Sequence, residues 1–194
     1  MKVGVLSLQG AVEEHLNMIR KCGFEGIKVK RLEDLEKVER LIIPGGESTT
    51  IGKLAKIYGL DKAIIKRGRE GMPIFGTCAG MILLAKEIQD SDQIRFGLID
   101  ILVERNAFGR QVDSFEADLK IEVLTREPFR GVFIRAPYVK KTGDKVKILA
   151  KLDGKIVMAQ QNNILVSSFH PELTDDLRMH KYFLSINYWY KEIG

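Results

Sequence analysis

Residues 73–88 read PIFGTCAGMILLAKEI and set Cys78 between two glycines, with an apolar run on either side. The pattern is that of a short strand (73–75), a sharp turn with the cysteine at its apex, and a helix (79–88). Gly76 and Gly80 lack the Cβ atoms that would collide where strand and helix meet. A Gly-x-nucleophile-x-Gly turn strains its central residue and lifts that side chain above the strand's C-terminal end. Open α/β sheets bind their ligands there. The reactive form of cysteine is the thiolate, which a helix N-terminus and a neighbouring imidazolium both favour. The Ala79 N–H is expected to face the same space and to receive an oxyanion. The competing reading is a small buried thiol, the ordinary state of a free cysteine. Cys22 fits that second reading, because it ends a helix before Gly23 and has no chemical partner nearby in sequence.

Outward from this turn, the first half alternates strand and helix signals. Strands are expected at 3–8, 27–32, 40–46 and 72–77. A helix over 11–23 carries Val12, Leu16 and Ile19 at helical spacing and stops at Gly23; further helices are expected at 48–59 and 61–71. This alternation calls for a parallel sheet with helices on both faces. The second half reads differently. Strands are expected at 95–105, 117–124 and 131–137, and three more within 145–172. Asp153-Gly154 is a strong hairpin turn and Asn162-Asn163 a weaker one. A final helix (173–193) is expected, with Thr174 as N-cap, Asp175 and Asp176 favoured by the helix dipole, and Leu177, Leu184 and Tyr188 on its buried stripe. The expected fold is therefore α/β, a single domain (1–194) built on a mixed, mostly parallel sheet with antiparallel additions.

The bulk composition fits that fold. The chain has 194 residues, 45% of them hydrophobic and 29% charged, which suits one globular domain with a full core. No apolar run approaches the roughly 18 residues of a membrane span. The opening MKVGVLSLQG reads as a first strand rather than a signal peptide, so a cytoplasmic protein is expected. Two cysteines make no disulfide framework. The net charge of +5 comes from Lys and Arg interleaved with Asp and Glu. Even the densest basic stretch, 139–147, reads as solvated surface or a face for a protein partner, not as a nucleic-acid site.

A cysteine nucleophile needs a base and a group to hold that base. His15 and His180 fall inside amphipathic helices beside charged residues and are expected at the surface or half-buried. His170 ends a strand and opens His-Pro-Glu. Residues two apart in extended chain point the same way, which lets Glu172 hold the His170 ring. The PGGEST loop (44–49) is a second glycine-rich strand-to-helix turn. It could cradle a phosphate, but it lacks the ending of a P-loop. A second oxyanion donor near Gly45 and Gly46 fits better, and a plain structural turn is the remaining reading. A metal centre is not expected, since His170 and Glu172 have no obvious third ligand.

Taken together, LQGAVEEH (8–15), PGGESTT (44–50), FGTCAGMILLAKEI (75–88), ERNAFGRQVDSFEADL (104–119), GVFIRAP (131–137) and SFHPELT (168–174) resemble the class I, triad-type glutamine amidotransferases. Within them the likeness is to the glutaminase subunits of pyridoxal 5′-phosphate synthases, and it spans essentially the whole chain. The resemblance implies a flavodoxin-like three-layer α/β/α fold. It implies that Cys78 attacks L-glutamine to give a γ-glutamyl thioester, with His170 as acid and base and Glu172 as its orienter. It places Gly46 and Ala79 at the oxyanion hole. Gly46, Glu47, Ser48, Arg105, Ile134 and Arg135 become glutamine-binding positions, and the two arginines suit the substrate carboxylate. No cofactor is implied. The implied partner is a (β/α)₈-barrel synthase subunit in a large ring, with Gln9 and Gly10 in the docking face. Two other readings stay open: a different cysteine hydrolase on the same scaffold (a peptidase or γ-glutamyl hydrolase), or a binding module whose thiol is only redox-sensitive.

Overall fold

A computed structural model describes residues 1–105, 114–125 and 127–187. The chain runs β1 (Lys2–Leu6), α1 (Val12–Lys21), β2 (Glu25–Val29), α2 (Leu32–Glu36), β3 (Arg40–Ile43), α3 (Ser48–Ile57), α4 (Leu60–Arg69), β4 (Ile74–Thr77), α5 (Ala79–Leu84) and β5 (Ala85–Ile88). It continues through β6 (Ile99–Glu104), β7 (Ser114–Leu119), β8 (Phe129–Ile134), β9 (Tyr138–Thr142), β10 (Lys147–Leu152), β11 (Lys155–Gln161) and β12 (Ile164–Ser167). A 3₁₀ turn (Pro171–Leu173) and α6 (Arg178–Ser185) follow.

Ten of these strands form one sheet in the order β2-β1-β3-β4-β12-β11-β9-β6-β5, with β10 on β11; β7 and β8 pair separately. The run from β2 to β12 is parallel, whereas β11 is antiparallel to β12, β9 and β10. Successive residues point to opposite faces. Along β3, Leu41 and Ile43 enter one core and Ile42 the other; along β4, Ile74 and Phe75 divide the same way. The first core packs under α2, α3, α4 and α5 through Leu35, Ile51, Ile64 and Leu83. The second packs under α1, α6 and the β7–β8 ribbon through Ile19, Phe183 and Phe133. This is the expected flavodoxin-like three-layer arrangement with antiparallel additions. No helix among the described residues is long and apolar enough to cross a membrane.

Several local expectations need correction. The helix expected over 79–88 ends at Leu84, because Ala85–Ile88 is drawn into pairing with β6. The final helix begins at Arg178, and Thr174 is not its N-cap. Thr174 sits in extended backbone and donates to the Pro171 carbonyl at 3.1 Å. Leu177 is the N-cap, and Asp176, one residue before it, accepts from the Arg178 N–H at 2.9 Å. Tyr188 lies outside the described residues, as do 106–113 of the quoted 104–119 stretch. The strand expected at 117–124 runs over Ser114–Leu119 instead. The basic stretch at 139–147 is not merely surface: its first half lies in β9, with Val139 buried and Lys140 and Lys141 turned out. Asp153 and Gly154 form the expected tight turn, both at positive φ (48° and 78°).

Candidate active site

Three neighbouring parallel strands, β3, β4 and β12, end side by side: Ile43 pairs with Gly76, and Ser167 with Thr77. Each hands the chain to a loop at its C-terminal end, and these loops carry the PGGEST turn, the Cys78 elbow and His170.

At the elbow Cys78 has φ 47° and ψ −100°, a sparsely allowed backbone for a residue with a side chain. Its N–H donates to the Ser167 carbonyl at 2.8 Å, and its carbonyl accepts from Ile82 at 3.3 Å. The turn is therefore pinned to β12 and to α5 together. The flanking glycines are there for space. A Cβ on Gly76 would lie 2.5 Å from the Gly80 carbonyl carbon, and one on Gly80 would overlap the Ile43 carbonyl oxygen. The Cys78 side chain is only 7% exposed. Its Sγ donates to the Ile134 carbonyl oxygen at 3.7 Å, and the Cys78 side chain is near enough to the His170 ring to raise that imidazole.

His170 Nδ1 donates to Glu172 Oε1 at 2.7 Å. The two are joined through the 3₁₀ turn beginning at Pro171, not through extended chain as expected from sequence. The His170 N–H is not idle: it donates to the Val132 carbonyl at 2.8 Å, which ties the base to β8. Burial, the largest single influence on His170, disfavours its charged form. The hydrogen bonds to Cys78 and Glu172 and the charges of both outweigh it, and the imidazole is raised to about 10. For Glu172, burial again acts first and favours the neutral acid. The neighbouring imidazoles of His15 and His170 reverse this, so the carboxyl sits below its ordinary value. A sulfur, a protonated imidazole and a buried carboxylate thus stand in a line.

The PGGEST loop packs against this line. A Cβ on Gly45 would overlap the His170 ring, so only glycine lets the loop approach the base this closely. The Gly45 carbonyl accepts from Ala11 at 3.0 Å, and Gln9 Oε1 accepts from the Glu47 N–H at 2.7 Å. Gln9 and Gly10 are exposed and rest on the Gly45–Glu47 backbone. Glu47 caps α3, accepting from Thr49 and Thr50 N–H groups. The Thr49 hydroxyl, first among these partners, holds the carboxyl down to about 2. Its side chain is committed to the helix, its N–H to Gln9 and its carbonyl to the Ile51 N–H.

Arg105 Nη1 donates to Gln93 Oε1 at 3.0 Å and Nη2 stands 4.0 Å from Glu47 Oε1, while the buried Ser48 hydroxyl meets the same Gln93 amide at 3.3 Å. Gln93 therefore joins Ser48 and Arg105, a link that no sequence pattern marks. Ile134 reaches Cys78 through its carbonyl, and Arg135, at φ 41°, is strained and exposed next to it. The expected site residues fall into one neighbourhood around the three strand ends.

The histidines set aside at first are misplaced by that reading. His15 and His180 are both fully buried. His15 Nδ1 lies 3.0 Å from His180 Nε2, and His15 Nε2 lies 3.4 Å from Glu172 Oε2. The signal was present in the sequence. His15 is three residues after Val12 and four before Ile19, and His180 is three after Leu177 and four before Leu184, which puts each on a buried stripe. The charged residues flanking each histidine masked this. Cys22 is half-buried and its thiol is pushed up by burial, as fits a structural cysteine.

A pyridoxal 5′-phosphate synthase subunit PdxT from Pelotomaculum thermopropionicum is 60% identical over 184 residues, covering 95% of this chain and 94% of that protein. The protein of the same name from Carboxydothermus hydrogenoformans is 57% identical over 184 residues, covering 95% and 96%. A solved structure described as a glutamine amidotransferase superposes with a TM-score of 0.91 at 52% identity, covering 95% of this chain and 97% of that one. The model of the SNO glutamine amidotransferase family matches residues 5–187. With the nucleophile turn, its base and the glycine loop in this arrangement, the chain belongs to the SNO glutamine amidotransferase family.

Proposed function

We propose that the chain, acting as one domain, is the glutaminase subunit of a pyridoxal 5′-phosphate synthase. It hydrolyses L-glutamine to L-glutamate and ammonia for vitamin B6 biosynthesis. The observation that carries this reading is the placement of Cys78 beside the hydrogen-bonded His170–Glu172 pair at adjoining strand ends.

The chemistry follows from that line. The Cys78 thiolate attacks the side-chain amide carbon, and the carbonyl electrons move onto oxygen. The N–H groups of Ala79 and of the peptide at Gly46 receive this oxyanion; a donor so placed contributes about 2.7–4 kcal/mol. His170 gives its proton to the departing nitrogen, ammonia leaves and a γ-glutamyl thioester remains. His170, now neutral, takes a proton from water; the hydroxide adds to the thioester and expels the thiolate. Glu172 keeps the ring aligned and stabilises its charged form throughout. Gly46, Glu47, Ser48, Ile134, Arg105 and Arg135 line the glutamine site. Three side chains and water complete the reaction, so it calls for no cofactor.

The ammonia passes to a synthase subunit, read as a (β/α)₈ barrel in a large ring, in the cytoplasm. Gln9 and Gly10 form part of the docking face. They rest on the Gly45–Glu47 backbone, so docking would bear directly on the oxyanion loop. The test is ammonia release from glutamine with and without the synthase subunit, together with labelling of Cys78 by a glutamine-like electrophile. Cys78→Ala is expected to lower turnover on the order of a millionfold and to abolish labelling, and Cys22→Ser to change neither. Cleavage of peptides or γ-glutamyl conjugates in place of free glutamine would point to another hydrolase. Equal rates with and without the synthase subunit would remove the docking switch.

A further inference from the structure

Behind the three side chains of the proposed mechanism lies a second set of buried polar groups that the mechanism does not use. Glu172 presents Oε1 to His170, while its Oε2 is fully buried and has no aligned hydrogen bond. His15 Nε2 lies 3.4 Å from Oε2. The same nitrogen lies 3.3 Å from the hydroxyl of Thr77, the residue preceding the nucleophile. On its other side, His15 Nδ1 meets His180 Nε2 at 3.0 Å. His180 Nδ1 is buried and has no partner among the described residues. His15 comes from α1, His180 from α6, Thr77 from β4 and Glu172 from the turn after β12, so one imidazole is touched by three other parts of the fold. The charged and titratable groups that bear on His15 are Glu172, His170, Glu14 and His180.

Proton placement in this set is decided by two unfavourable contacts. Suppose His15 carries its proton on Nδ1. Its bare Nε2 lone pair then faces the Glu172 carboxylate, and His180, accepting at Nε2, must carry its own proton on Nδ1. That leaves a buried N–H with no acceptor, which costs the full desolvation of a donor. Suppose instead that His15 carries its proton on Nε2. It then points a donor at Oε2 and at Thr77, accepts at Nδ1 from His180 Nε2–H, and leaves on His180 only an unpaired lone pair. Every contact has the right sign in the second arrangement. Burial disfavours the charged form of both imidazoles, pushing His15 down against the pull of Glu172 and His180 to about 3.

We propose that His15, oriented by His180, is a positioning residue for the triad: it holds its proton on Nε2 and directs it at Glu172 Oε2, so that Oε1 is held for His170. His15 touches no reacting atom. It acts on the carboxylate that orients the base, and through Thr77 it also contacts the strand that carries the nucleophile. This inference rests on the glutaminase reading for its kinetic consequences but not for its tautomers.

The two parts are tested separately. Nitrogen-15 NMR of the unmodified full chain near neutral pH reads the proton position directly; the expected spectrum shows both His15 and His180 protonated at Nε2. A spectrum showing His15 as the Nδ1–H form or as imidazolium would overturn the proposal, whatever the enzyme's substrate. Kinetically, His15→Leu removes the donor and His15→Gln returns an N–H close to the Nε2 position. With the synthase subunit present, His15→Leu is expected to lower kcat for glutamine by about 10–100-fold with KM little changed, and to shift the pH–rate profile. His15→Gln should recover most of kcat and the original profile. Equal loss in both variants, tracking only a fall in Tm, would reduce His15 to packing and overturn the proposal. Should His15→Leu fail to fold, the NMR result on the unmodified chain decides. An unmodified complex that releases no ammonia from glutamine would defeat the functional reading and leave the tautomer measurement intact.

Discussion

Gly45 is the residue that leaves no room for a side chain beside the base. Its Cα lies against the His170 ring so closely that a methyl group there would overlap the imidazole. Gly45→Ala must push either the loop or the base out of line. A displacement of about 1 Å at a reacting group can cost on the order of 10²-fold in rate. The expected outcome is a fall in kcat of that order, with urea midpoints near those of the unmodified chain, because the strain sits in a loop outside both cores. Rate and unfolding measurements on the same preparation check it. Cys78, His170 and Glu172 were legible as residues, since a cysteine between two glycines and a histidine before Pro-Glu each carry chemical meaning alone. His15 and His180 were not, because a charged neighbour outweighed a spacing that already placed both inside.

At the scale of elements, the glycine loop and the capping of α3 are one device. Glu47 ends the loop and caps the helix through Thr49 and Thr50. Glu47→Ala is expected to cost about 1 kcal/mol in urea unfolding. Glu47 lies well below its unfolded value of 4.5, at about 2. Its contribution is therefore complete above pH 4.5 and is lost as the pH falls through 2. The difference between the native and Glu47→Ala midpoints should shrink across that window. Strand and helix identities in the first half were legible, the short helix α2 excepted, because β1, β3 and β4 are buried on both faces and read as continuous apolar runs. The boundary between α5 and β5 was not, because nothing local stops AKEI from continuing a helix. Pairing with β6, 14 residues further on at Ala85↔Ile99, decides it.

Across the whole molecule, the buried histidines pull stability in opposite directions with pH. His170 is raised from 6.5 to about 10, so its contribution is full below pH 6.5 and fades as the pH climbs through 10. His180 is lowered from 6.5 to about 3, so its contribution holds above pH 6.5 and is lost progressively as the pH falls toward 3. The histidine part of stability should peak near pH 6.5. A series of Tm values against pH checks this: His180→Phe should flatten the acid limb and His170→Asn the alkaline one. Unchanged limbs in both variants would contradict it. The position of β12 carries a further consequence. It lies between β4 and β11, in the middle of the sheet, yet it is made from residues 164–167 of a 194-residue chain. Until residues 164–170 have been made, the sulfur at position 78, some ninety residues earlier, lacks the imidazole of His170 to activate it. A half-made chain is thus chemically quiet, and the active thiol arises only as the last central strand slots home.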